Sequence, residues 1–289
     1  MTTHVLETAE ADLTYDLHGP LPTADGRPPL MMIGQPMDAS GFRALVSNFP
    51  DCTVVTYDPR GLGRSVRKDS RTEHLPDAQV ADVHAIITAL GVGPVEMFAS
   101  SGGAITALAL VATHPRDVTT LVAHEPPLIA LLDDAPAAQR ARAAVRDAYE
   151  AKGFGAGMAA FIAMTSWAGE FTDEYFAQPP ADPAAFGLPT EDDGVRTDPL
   201  LSDASWAVSD YRPDISALTA APTRIVIAVG EESLGLETAR TADAIAALLG
   251  QEATVFPSHH GGFVDDEYGY AGQPEAFAAR LREVLGATG

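Results

Sequence analysis

Short, mostly apolar runs alternate along the chain with longer stretches in which apolar residues recur every three or four positions. The runs at 30–33, 54–57, 95–98, 121–124, 224–229 and 253–256 read as buried strands, and 13–17 as one arm of an opening hairpin. Residues 41–49, 77–90, 101–114, 237–249 and 274–285 carry helical spacing. Strands with no polar alternation are covered on both faces, so this order predicts an α/β fold with a mostly parallel central sheet and helices on both sides. The alternation breaks once. Between Pro126 and Pro222 no strand is convincing, whereas 136–152 and 155–167 are helical in pattern and 178–199 is a Pro/Gly/Asp-rich loop. The strand pattern then resumes, which predicts a core of residues 1–126 and 222–289 interrupted by a helical cap insertion, 127–221. In an open α/β sheet such a cap lies over the carboxyl ends of the strands, where ligands bind.

One junction in this pattern carries chemistry. Ala99-Ser100-Ser101-Gly102-Gly103 follows the run ending at Phe98 and opens a helix of small residues. A strand that turns abruptly into a helix can hold a serine at the bend, provided that the residues two places either side are small enough for backbone to pack against them. Ser100 would be flanked by Phe98 and Gly102, and Ser101 by Ala99 and Gly103. The second set is small on both sides, so Ser101 is the candidate nucleophile.

Composition narrows the function classes. Forty acidic residues against 18 basic ones give a net charge of −22, which repels nucleic-acid phosphates and anionic membranes. A small-molecule substrate is therefore the expected partner, with no nucleic acid and no membrane, for a monomer or homodimer. The single cysteine, Cys52, excludes an internal disulfide and a cysteine-based metal site. No signal peptide or long apolar span is visible, so the expected location is cytoplasmic.

Together these residues resemble the α/β-hydrolase superfamily, over nearly the whole chain. Residues 30–36 (LMMIGQP) resemble the strand and oxyanion loop, 58–65 (DPRGLGRS) the turn after the next strand, 99–103 the nucleophile elbow and 256–263 (FPSHHGGF) the histidine loop. The resemblance implies the α/β-hydrolase fold, and the base immediately before the Gly-Gly pair, His260 rather than His259. It usually implies an Asp three residues past Gly230, but Ser233 stands there. Two replacements remain open. Glu125 occupies a neighbouring strand end, where haloalkane dehalogenases among others carry their acid; Glu231 and Glu232 lie near the usual place. Glu125 is the expectation. Backbone N–H groups of Gln35 and Gly102 would form the oxyanion hole, and Met37, Met164, Trp167 and Trp206 would line the substrate pocket.

A Ser–His–carboxylate set implies a serine hydrolase, carboxylesterase-like, acting on a small uncharged or weakly polar ester through an acyl-enzyme, with no metal and no organic cofactor. Perhydrolysis, lactone or C–C bond hydrolysis and acyl transfer use the same set. Ser233 also leaves open a non-catalytic binding protein on a degraded site.

Overall fold

The computed structural model describes residues 1–24, 26–266 and 271–286. Among these, nine strands form one sheet: β1 (Thr2–Glu7), β2 (Ala11–His18), β3 (Leu30–Gln35), β4 (Val54–Tyr57), β5 (Val66–Arg67), β6 (Val95–Ser101), β7 (Val118–His124), β8 (Arg224–Gly230) and β9 (Thr254–Phe256). Their spatial order is β1-β2-β4-β3-β6-β7-β8-β9, with β5 on β2. Every pair from β4 to β9 is parallel, and the pairs made by β2 are antiparallel.

The helices are α1 (Arg43–Ser47), α2 (Pro76–Leu90), α3 (Gly102–Thr113), α4 (Ala135–Lys152), α5 (Phe154–Thr165), α6 (Asp173–Phe176), α7 (Trp206–Ser209), α8 (Ile215–Ala220), α9 (Glu237–Leu248) and α10 (Pro274–Gly286). Alternate residues of β3 divide between two cores: Met31 and Ile33 join α2, α3 and α9 on one face, while Leu30 and Met32 join α1 and α10 on the other. Both faces of the central strands are thus dry, which is why they read as continuous apolar runs. Between β7 and β8 lie α4 to α8, whose Ala138, Ala141, Val145, Tyr149 and Met164 pack with Phe171, from the segment between α5 and α6, into a separate small core. Among the described residues no helix is long and apolar enough to cross a membrane.

Two sequence features hold the sheet's carboxyl edge in shape. Asp58, in the 58–65 turn, is buried and accepts from Ala39 N at 3.0 Å and from Arg64 N and Nε at 2.8 and 2.7 Å, tying this turn to the loop after β3. Arg60 is forked onto Asp82 of α2 with two 2.6 Å bonds. The motif therefore braces the site rather than entering it. At the elbow, a Cβ on Gly103 would lie 2.7 Å from Gly34 Cα and 2.8 Å from Ile33 O, so α3 reaches β3 only because this residue has no side chain.

Candidate active site

Ser101 is the last residue of β6 and caps α3, with φ 57° and ψ −130°. A non-glycine residue in this region stores on the order of 1–3 kcal/mol of strain, held here by β6 pairing on one side and α3 packing on the other. The helix patterned from residue 101 thus begins one residue later, at Gly102. Ser100 faces the interior: it is 2% exposed and its Oγ lies 3.4 Å from His124 Nδ1. His124, fully buried among Phe98, Phe256, Phe263 and Phe277, is pushed down to about 4 by loss of solvation, so it stays neutral and structural.

Glu125 follows β7 directly, with φ 46° and no exposed surface. Its carboxylate accepts from Gly230 N at 2.8 Å and Thr238 Oγ1 at 2.7 Å, and its Oε2 lies 2.6 Å from His260 Nδ1. Burial alone would raise its pKa. The His260 bond, the neighbouring imidazoles and the Gly230 N–H outweigh that and hold the carboxyl well below the usual range. In return, Glu125 lifts His260 above an ordinary imidazole against the opposing effect of burial, with a contribution from the charge of Glu237. Because β7 and β8 are neighbours, the end of one strand reaches the space beside the end of the other, and a carboxylate can arrive there without any Asp after Gly230.

Ser233, at the usual acid position, is buried and packs there without charge. Glu231 and Glu232 are exposed; Glu231 accepts from Ser258 N at 3.4 Å and Glu232 from Gln273 Nε2 at 3.4 Å. His259 spends its ring on the loop backbone, with Nε2 3.1 Å from Ala271 O and Nδ1 accepting from Gly261 N at 3.0 Å. With Nδ1 of His260 committed to Glu125, Nε2 is the nitrogen left to take a proton.

Ser101 and His260 line one cavity of about 1210 Å³, open to solvent, together with Gln35, Gly102, Met37, Met164 and Trp206. Gln35 pairs with Ser101 across β3 and β6, and Gly102 opens α3, whose first N–H groups have no helical partner and whose dipole favours an anion. Trp167 does not line the cavity. It lies two residues past the end of α5, donates from Nε1 to Glu170 O at 2.9 Å and meets Tyr175 edge-on at 5.3 Å, inside the cap's own packing. Arg142, Arg146 and Glu237 also line the cavity and were not anticipated. The signal for two of them is in the pattern. Arg142 lies four residues after buried Ala138 and three before Val145, and Glu237 eight before buried Ile245, so each is a charge on an apolar stripe. Glu237, 4% exposed, is pushed up to about 7 by burial, which the charges of Arg142 and His260 only partly offset.

Among the described residues, the one cluster with metal-ligand spacing is His84, His114 and Asp117, outside this cavity. There His84 Nδ1 is 2.6 Å from Asp117 and its ring stacks on His114, an arrangement that the His84–Asp117 hydrogen bond accounts for.

A family profile for the alpha/beta hydrolase fold matches residues 30–212. The uncharacterized hydrolase YraK of Bacillus subtilis is 26% identical over 294 residues, covering 97% of this chain and 94% of that protein. A proline iminopeptidase of Xylella fastidiosa is 34% identical over 100 residues, 34% of this chain and 31% of that protein. In structure, a thermophilic esterase of Thermogutta terrifontis superposes with a TM-score of 0.63 at 19% identity, covering 99% of this chain and 98% of that one.

Proposed function

The chain belongs to the α/β-hydrolase fold family, and from that premise we propose that it is a serine hydrolase of carboxylic esters working through an acyl-enzyme on Ser101. The observation that carries this reading is the strained serine in the same cavity as an imidazole whose second nitrogen is bonded to a buried carboxylate. Serine is a poor nucleophile at neutral pH. It needs a base to take its proton during attack, and a base held in one tautomer does so without reorganising.

In this reading Ser101 Oγ adds to the ester carbonyl carbon as His260 Nε2 takes its proton. The carbonyl electrons move onto oxygen, and the N–H groups of Gly102 and Gln35 stabilise the oxyanion. The carbonyl re-forms, the C–O bond to the alcohol breaks, and His260 returns the proton to the leaving oxygen. Water, deprotonated by the same nitrogen, then releases the acid and restores Ser101. Glu125 stays ionised throughout and stabilises the imidazolium. An Asp nucleophile is absent from the elbow, which argues against dehalogenase and Asp-type epoxide-hydrolase chemistry. The cavity volume, about 1210 Å³, exceeds the roughly 300–1,000 Å³ of ordinary ligand pockets, so the ester need not be small.

Incubation with a fluorophosphonate, read by intact mass and peptide mapping, tests the reading. One adduct per chain on Ser101, lost in Ser101→Ala, is expected, together with turnover of p-nitrophenyl esters. A wild-type protein that stays unlabelled refutes it.

A further inference from the structure

The cap contributes a half-buried cation whose setting is unlike that of the buried Arg60. Where Arg60 is buried for structure, it is answered by a two-bond fork to Asp82. Arg142 has no such answer. Its Nη2 donates to Ser205 Oγ at 3.3 Å, Nη1 is buried with no hydrogen-bond partner, and no carboxylate of the described residues pairs with it. The guanidinium carbon lies 4.3 Å from the centroid of the Trp206 ring, and Ser205 is in turn tied to Leu200 O at 2.8 Å, so the group has a stacking platform and a fixed neighbour. Arg146 stacks on the same indole at 4.6 Å but reaches Asp203 at 3.3 Å. Arg140, Arg212 and Arg224 also have no carboxylate partner among the described residues, but they lie outside the cavity, whereas Arg142 lines it.

Glu237 shares the cavity and also lacks an ion pair, but a carboxyl group can shed its charge by taking a proton. An arginine cannot. A buried charged donor left without a partner is costly, and a planar guanidinium stacked on an aromatic ring presents its edge to a carboxylate in the same plane.

We propose that Arg142, braced by Trp206 and Ser205, is a carboxylate subsite, and that the esters this cavity favours carry a free carboxylate on the portion lying under the cap. The substrate class rests on the ester-hydrolase reading above; the anion subsite itself does not. It departs from the expectation of a small uncharged or weakly polar ester. A single cation inside a cavity acts at contact distance, where it outweighs many screened surface charges.

The test pairs 4-nitrophenyl hydrogen adipate, which keeps one carboxylate, with its neutral methyl ester. Wild type is expected to favour the acid by roughly 10- to 100-fold in kcat/KM, the range of a charge-assisted hydrogen-bond pair. In Arg142→Met the ratio falls to about one, and Arg142→Lys keeps part of the preference. Binding is read separately by Trp206 fluorescence in a Ser101→Ala/Trp167→Phe protein, where Trp206 is the sole tryptophan. Adipate shifts the emission saturably and adipamide does not. No preference in the wild type, a preference that survives Arg142→Met, or no response to adipate each overturns the proposal. Should Arg142→Met fail to fold, the wild-type ratio, the lysine variant and the fluorescence titration still decide it. A protein unlabelled by fluorophosphonate yet responsive to adipate sinks the hydrolase reading and keeps the subsite. A labelled protein with no acid preference does the reverse.

Discussion

Replacing Glu125 by Gln changes one oxygen for an NH₂ group in a site with no exposed surface and three donors arranged around the carboxylate, at 2.6, 2.7 and 2.8 Å. Gly230 N can keep the remaining carbonyl oxygen, and the Thr238 hydroxyl can rotate to accept. His260 cannot adapt so cheaply. Facing an N–H donor, Nδ1 must present its lone pair, which moves the ring proton to Nε2, the atom that has to receive the proton of Ser101. The imidazolium formed during attack also loses its counter-charge. A tautomer error of this kind costs about 10⁴-fold in serine-protease chemistry, or about 5.5 kcal/mol at 1.36 kcal/mol per tenfold. We expect acylation to fall by roughly 10³- to 10⁴-fold on that scale. The assay is the rate of fluorophosphonate labelling, checked against the pre-steady-state burst with p-nitrophenyl acetate. Glu232→Gln, at an exposed position whose side chain accepts a 3.4 Å bond from Gln273, is expected to stay within about twofold, the scale of a small surface perturbation. The wild-type acid limb should lie above the ordinary imidazole value, because Glu125 raises the pKa of His260, and should move down in Glu125→Gln. Equal rates in the two variants would refute the assignment of Glu125, as would a comparable loss in Glu232→Gln.

Two further outcomes follow from the packing around the site. Gly103→Ala puts a methyl group 2.7–2.9 Å from three backbone atoms of Ile33 and Gly34, forcing α3 and β3 apart. A loss of about 1–3 kcal/mol in denaturant unfolding is expected, with labelling of Ser101 slowed beyond the unfolded fraction; unchanged stability would mean that the approach is looser than described. Glu237→Gln tests the buried carboxyl in the cavity. Between its ordinary 4.5 and about 7 the folded protein holds a proton that the unfolded chain has released, so wild-type stability declines as pH rises through that window and levels off above it. The glutamine variant lacks this decline and should gain on wild type by up to about 3 kcal/mol at pH 8 relative to pH 4.5, measured by urea midpoints; a difference that does not vary with pH would refute the burial argument.

What could be read from the sequence depended on how many constraints met at a residue. The central strands, four to seven residues long, are largely buried on two faces, so each is dominated by apolar residues and stands out. By contrast β1 is mostly exposed and β5 has only two residues; neither leaves a periodic trace, and both went unrecognised. The candidate triad was legible because each member sits at the carboxyl end of a strand or in the loop that follows it, where the chain must turn. Ser101 is marked by small neighbours, Glu125 by the Pro126-Pro127 stop and His260 by the glycines after it. The pocket was less legible because the cap's apolar residues serve two surfaces at once. Met164 and Trp167 are three positions apart, but the helix ends at Thr165, and beyond that point helical spacing no longer says which way a side chain faces. Charge placed on an apolar stripe is the better guide in such a region. Desolvating Arg142 on a helix that otherwise buries alanine, valine and tyrosine, or Glu237 on one that buries mainly alanine and isoleucine, is unfavourable for folding, so these positions point to what the cavity binds more directly than its aromatic lining does.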